Sequence, residues 1–233
     1  MPGPPAPLLR HLATRDWTIV ARAERGLVRK SMQDAVAIVP DAPCAWRRCD
    51  AVAVFDGVGG LPFGGEAAHA AAEALGAALQ KSRNAMEALA YLDGQVRRTG
   101  GATTVVLVLL PREGATVDVL WAGDSAAYAL DAQGGLVPLT APDSEGGFLV
   151  QCLGLEGVRP HETSVDLQPG QAILLCTDGV DGVIGRIPLH DLLGGQSGQD
   201  PRVLDRVFEA VAAAGAPDNA AIVLARRQPL KQG

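Results

Sequence analysis

Residues 52–71 read VAVFDGVGGLPFGGEAAHAA. Four apolar residues, Val52 to Phe55, lead to a single acid, Asp56; five glycines follow, and the stretch ends in the alanines of a helix. Glycine at that density lets backbone pass close to whatever the acid holds. A second run, AILLCTDGVDG (172–182), repeats the order of apolar strand, aspartate and glycine at Asp178 and Gly179. Both runs deliver a carboxylate from the end of a strand into a tight loop.

Working outward, WTIVARA (17–23), DAVAIVP (34–40) and DAVAVFD (50–56) alternate or run apolar for strand lengths. GGEAAHAAAEALGAALQKS (64–82) places Glu66, His69, Glu73, Gly76 and Gln80 at helical spacing, one polar stripe on an alanine-rich helix. A second helix follows over 84–98, and GGATTVVLVLL (100–110) returns to strand. The middle of the chain reads as a β-meander over 115–123, 125–140 and 162–179, with a turn at Pro169-Gly170. A last helix is expected over 200–215, opening on Asp200-Pro201 with Val203, Leu204, Val207, Phe208 and Val211 on one face, and a strand over 217–227 closes the chain. The expected organisation is a flexible tail over 1–12, a single domain over 13–228 and a tail over 229–233.

Of the 233 residues, 48% are hydrophobic but only 4% aromatic, so the core is built from Ala, Val and Leu, which pack well in regular layers. A net charge of −6 without a dense Lys/Arg block gives nucleic acid no electrostatic footprint. The most apolar stretch, TTVVLVLLP (103–111), is about half of what a membrane-spanning helix needs, and Arg10 and His11 interrupt the start before an apolar run of signal-peptide length develops. The expectation is a cytoplasmic protein, neither secreted nor membrane-bound. Cys44, Cys49, Cys152 and Cys176 form no CxxC pair and read as reduced thiols.

Asp34, Asp56, Asp178 and Asp218 each lie beside an apolar strand segment. One such acid is ordinary turn chemistry. Several gathered at one sheet rim would repel one another without a cation, and an oxygen-only set suits Mg²⁺ or Mn²⁺.

In order along the chain, GLVRKSMQDA (26–35), VAVFDGVGG (52–60), GGATTVVLVLL (100–110), LWAGDSAAYAL (120–130), LLCTDGV (174–180) and PDNAAIVL (217–224) resemble the metal-dependent PP2C-type (PPM) serine/threonine protein phosphatases, bacterial type, over about residues 17–226. The resemblance implies an α/β (α+β) fold, a four-layer αββα sandwich of two mainly antiparallel sheets flanked by helices. It implies two Mn²⁺ or Mg²⁺ ions, with Asp56 bridging them, the carbonyl of Gly57 on one, and Asp178 and Asp218 on the other. Asp34 would hydrogen-bond metal-bound water, Arg29 would grip the substrate phosphate, and Asp124 of GDS would serve a third ion with Asp178. The implied activity is hydrolysis of phosphoserine and phosphothreonine in proteins. The expected partners are a phosphoprotein substrate and a serine/threonine kinase acting on the same targets, with the chain a monomer.

The chain departs from the family pattern in three places. Val58 stands where many eukaryotic members have a histidine, Ala126 follows GDS in place of an arginine, and only four residues separate LTAPDS (139–144) from LVQCLG (149–154), a short flap expected to leave the site open. Two other readings compete. Ser125 of GDS as an esterase nucleophile lacks a suitably placed histidine. A catalytically decayed phosphoprotein-binding or regulatory module of the same fold is opposed by the retention of all four acids and Arg29. Gly194, Gly195 and Gly198 read as a surface loop and lack the GKS/T ending of a nucleotide P-loop.

Overall fold

β4 (Cys49–Asp56) is buried along both faces, and successive strand side chains point to opposite sides. Val52 and Val54 enter an apolar layer with Ile19 and Val223, while Ala51, Ala53 and Phe55 face the other way against Leu75 and Leu89. A strand buried in this manner belongs to the middle of a stack. In this computed structural model, which describes residues 8–131, 135–146, 148–193 and 202–229, the stack has four layers.

One sheet has five strands, in the order β11 (His161–Asp166), β6 (Thr116–Ala122), β5 (Val105–Pro111), β4 and β3 (Asp34–Val39). The other has six, in the order β1 (Leu8–Ala13), β2 (Trp17–Glu24), β13 (Ala220–Arg227), β12 (Ala172–Cys176), β7 (Ala126–Leu130) and β8 (Leu136–Pro138). Every pairing is antiparallel. Helices α1 (Gly64–Lys81) and α2 (Ala85–Thr99) cover the five-stranded sheet. On the far side, α3 (Asp178–Ile184), α4 (Arg186–Leu193) and α5 (Val203–Ala213) cover the six-stranded sheet. The fold is the αββα sandwich expected from the sequence.

Small side chains set the spacing. α1 lies on Ala67, Ala68, Ala71 and Ala78, which let its axis approach the sheet, and the layer between the sheets contains Ala21, Ala127, Ala221 and Ala225. Asn84 caps α2 by accepting the Glu87 N–H at 2.9 Å, worth about 1 kcal/mol. Gly100, at φ 76°, ends that helix in a conformation that favours glycine.

The structure revises several boundaries. Leu8–Leu12, expected as tail, form β1 together with Ala13, paired with β2 from Leu8↔Ala23 to Ala13↔Thr18. All but one of its side chains are exposed, so main-chain hydrogen bonds hold the strand and no burial pattern announces it. The strand expected from residue 100 begins at Val105, because Gly100 to Thr104 cross the loop beneath Phe63. α3 and α4 follow β12 in a stretch for which no helix was expected. The expected tail residues 1–7 and 230–233, Asp200-Pro201 at the last helix start, and Gly194, Gly195 and Gly198 lie outside the described residues. Among the described residues, no helix is long and apolar enough to cross a membrane. All four cysteines are free.

Candidate active site

The two acids of the five-stranded sheet face each other directly. Asp34 begins β3, Asp56 ends β4, and the register pairs them. Asp56 is fixed through its backbone: its N–H donates to Thr104 Oγ1 at 3.0 Å, and its carbonyl accepts from the Thr104 N–H and the Thr103 hydroxyl, both at 2.8 Å. Thr104 Oγ1 lies 2.7 Å from Ser125 Oγ, so the buried GDS serine braces this floor. That placement leaves the esterase reading without an accessible nucleophile.

Asp178 and Asp218 come from the six-stranded sheet. Asp178 follows β12 as the first residue of α3, and Asp218 precedes β13. Thr177 ties the two sheets together: its hydroxyl donates to Asp34 Oδ2 at 2.7 Å and accepts the Ala221 N–H at 2.9 Å. Glycine is needed where the loops close. A Cβ on Gly179 would sit 1.7 Å from the Asn219 carbonyl oxygen, one on Gly26 2.0 Å from that of Asp218, and one on Gly57 2.3 Å from that of Gly64.

Arg29 Nη2 is paired with Asp218 Oδ2. The guanidinium also lies over Gly59, 3.2 Å from where a Cβ would stand. A cavity of about 320 Å³ gathers Arg29, Asp56, Gly57, Asp124, Asp178 and Asp218. Asp34, only 2% exposed, lies behind this lining, paired with Asp56 across the two strands. The six expected acids and glycine, with Arg29, therefore meet in one place.

Electrostatics mark this place as unusual. Burial pushes the Asp34 carboxyl up to about 7; the Thr177 hydrogen bond opposes that shift, and the charges of Asp178 and Asp218 add to it. Asp56 is held well above the ordinary carboxylate range, by burial first and then by Asp34 and Asp178. Asp178 is raised by burial and by Asp218, and Asp124 by burial and by Asp178. The Asp56 and Asp178 carboxyls are close enough to shift each other's titration. Like charges packed this closely retain protons unless a cation replaces them.

That chemistry fits a hard divalent cation: the donors are carboxylate and carbonyl oxygens. Among the described residues, no three His, Cys, Asp or Glu side chains already stand as a metal cage. Asp218 faces Arg29 instead.

The short segment that was expected to leave the site open folds over it. β9 (Ser144–Glu145) and β10 (Phe148–Leu149) pair as a small antiparallel ribbon, and Phe148 and Leu149 line the cavity. Thr103, Thr104 and Thr177 are the residues to which sequence reasoning gave no role. Each stands inside a quoted motif, GGATT or LLCTDGV, but a threonine in a strand is unremarkable until its partner is known.

Residues 51–228 match the family described as Stage II sporulation protein E (SpoIIE). The chain belongs to this family of PP2C-like phosphatase domains. Among solved structures it resembles "PppA, a key regulatory component of T6SS in Pseudomonas aeruginosa", at 23% identity and TM-score 0.77, covering 91% of this chain and 97% of that one. It also resembles the catalytic domain of the serine/threonine protein phosphatase PstP, a structure holding 2 manganese ions, at 24% identity and TM-score 0.71, with 92% and 99% covered. A serine/threonine phosphatase from S. agalactiae matches at 16% identity and TM-score 0.75, over 90% and 99%. At these identities the likeness is one of fold. No curated protein matches by sequence.

Proposed function

We propose that this chain hydrolyses phosphoserine and phosphothreonine in proteins, using two divalent cations, Mn²⁺ or Mg²⁺. The observation that carries the reading is the convergence of Asp56, Asp178 and Asp218 on one cavity beside Arg29, with Asp34 paired to Asp56 behind it and three of the four acids raised in pKa. Asp56, the Gly57 carbonyl, Asp178 and Asp218 would hold the two ions, and Asp124 with Asp178 a third. Bound there, such ions neutralise phosphoryl oxygens and acidify water toward neutral pH.

The chain's own residues supply the rest. Arg29 releases Asp218 and turns its planar fork to two phosphate oxygens, orienting the ester bond. Asp34, steadied by Thr177, would hydrogen-bond water held at the site. Val58 carries no proton, so the leaving alkoxide takes one from solvent. Phe148 and Leu149 shield one side of the cavity. The partners proposed are phosphoproteins and the kinase that modifies them, and the protein is proposed to act as a cytoplasmic monomer.

A second reading is a regulatory module that binds phosphoproteins without turnover. The engagement of Asp218 by Arg29 favours it, because an acid so paired is not yet ready for a cation. Hydrolysis of p-nitrophenyl phosphate with Mn²⁺ and with EDTA separates the two. Turnover with Mn²⁺ that chelation abolishes supports the enzyme. Asp56→Asn should then lower it by more than about 100-fold, since even residues behind the ligands are worth roughly 10- to 100-fold. No turnover in any divalent cation, with phosphopeptide binding retained, would favour the binding module.

A further inference from the structure

A second cavity is larger than the acidic one. A groove of about 910 Å³ runs along β3, the edge of the five-stranded sheet. β3 pairs with β4 on one side only, so its other row of main-chain N–H and C=O groups faces the groove. One wall is the polar face of α1, with His69, Glu73 and Gly76; the other is formed by Leu8, Arg10 and Glu24 of β1 and β2. Asp34 borders the groove at one end, and its neighbour Gln33 lines the catalytic cavity.

Three features determine what fits there. The edge is recessed: Asp34, Ala35, Val36 and Ala37 are 2%, 7%, 7% and 5% exposed. Walls on both sides therefore keep out the edge of another sheet, including that of a second copy, and admit a single extended segment. Charge is mixed, Arg10 and Arg25 against Glu24, Asp34 and Glu73, with no dense patch of one sign, so recognition falls to the main chain rather than to a charged motif. Gly76 stands inside α1, where glycine is disfavoured by about 1 kcal/mol relative to alanine. A Cβ there would meet nothing within 4 Å, so packing does not demand the glycine, and its effect is to leave the groove clear.

We infer that the groove binds the substrate polypeptide as an added β-strand along β3, on one side of the phosphorylated residue, so that the bound strand leads that residue past Asp34 into the catalytic cavity. The inference rests on the phosphatase reading and gives it a substrate class: phosphorylated residues in extended or unfolded segments. β3 has six residues, enough to pair about 20 Å of peptide.

The test uses the full chain with Mn²⁺, p-nitrophenyl phosphate, and two series of phosphothreonine peptides rich in Val, Thr and Ser, lengthened on the amino or the carboxyl side. Extension by six residues on one side should raise kcat/KM at least tenfold. N-methylation should remove the gain at alternate positions only, because a strand offers every second residue's main-chain groups to a given neighbour. Gly76→Trp should lower the ratio of peptide to p-nitrophenyl phosphate activity at least tenfold, and Glu73→Trp, at an exposed position, provides the same test should the first variant fold poorly. Fluorescence anisotropy of a labelled long peptide should show binding to wild type and its loss in these variants. Peptide length without effect in both series, methylation tolerated everywhere, or an unchanged activity ratio in a folded variant overturns the groove assignment. A dimer that Gly76→Trp dissociates, with peptide activity intact, would assign the groove to a second copy and also overturn it. Absence of p-nitrophenyl phosphate turnover in wild type defeats the phosphatase reading instead, and anisotropy alone then decides whether the groove takes a strand.

Discussion

Thr177 and Asp34, 143 residues apart in sequence, are joined by one hydrogen bond of 2.7 Å that crosses from one sheet to the other. The same hydroxyl accepts the Ala221 N–H, so Thr177 acts as donor and acceptor at once. Thr177→Val keeps the shape and removes both bonds. It should destabilise the protein by about 1–3 kcal/mol, because a buried N–H and a buried carboxyl lose a partner. Thr177→Ser should recover most of this, as urea denaturation of the three proteins will measure.

The raised Asp34 carboxyl makes metal-free stability depend on pH. Its folded value of about 7 lies above the roughly 3.9 of an unfolded aspartate, so the folded state holds the proton more tightly. The contribution is fully present below about pH 4 and is lost as pH rises through 7. Asp34→Asn removes the charge that must form in that window. In EDTA, the variant should gain stability relative to wild type at pH 8, on the order of 2 kcal/mol, and gain little at pH 4. Thermal melts at the two pH values check it, and an equal difference at both would refute the assignment.

Arg29 has two possible partners, Asp218 and a substrate phosphate. Arg29→Ala should chiefly raise KM, with kcat/KM falling roughly 30- to 150-fold for the loss of a charge-assisted pair of about 2–3 kcal/mol. Because Asp218 is freed, Mn²⁺ affinity should rise rather than fall, which calorimetry will report. Arg29→Lys should recover only part of the activity, since a point charge lacks the fork. Lys30→Ala, at an exposed neighbouring position, should have little effect by either measure.

Two glycines four sequence positions or fewer apart in α3 should behave oppositely. Gly179→Ala drives a Cβ into the Asn219 carbonyl oxygen at 1.7 Å and should destabilise by about 3 kcal/mol or more. At Gly182 the nearest atom to a new Cβ is Asp178 Cβ at 3.6 Å, an ordinary contact, so Gly182→Ala should be neutral or stabilise by up to about 1 kcal/mol. Melting temperatures of the pair, in EDTA, are the measurement.

What the sequence disclosed follows from where the information lay. VAVF and AILLC announce strands buried on both sides, and an acid at the end of each is legible because nothing apolar would be placed at a rim. Arg29 and Asp124 were legible only through the order of the motifs, not through any local pattern. β1 was hidden because an exposed edge strand needs no apolar alternation. α3 was hidden for a different reason: DGVDGVI, with two glycines in seven residues, has poor helix propensity, and packing against α5 and β13 forms it. Thr177 was hidden because hydroxyl partners across two sheets leave no trace in spacing.

The acids are divided between the sheets, Asp34 and Asp56 on one and Asp178 and Asp218 beside the other. The gap between the two pairs therefore follows the thickness of the interior layer at whose rim they stand, one in which Ala21, Ala127 and Ala221 hold the sheets together. If the proposed cations bind there, the ionic radius that fits would be set in part by the bulk of these methyl groups, and substitutions confined to that layer should change cation preference while the acids stay the same.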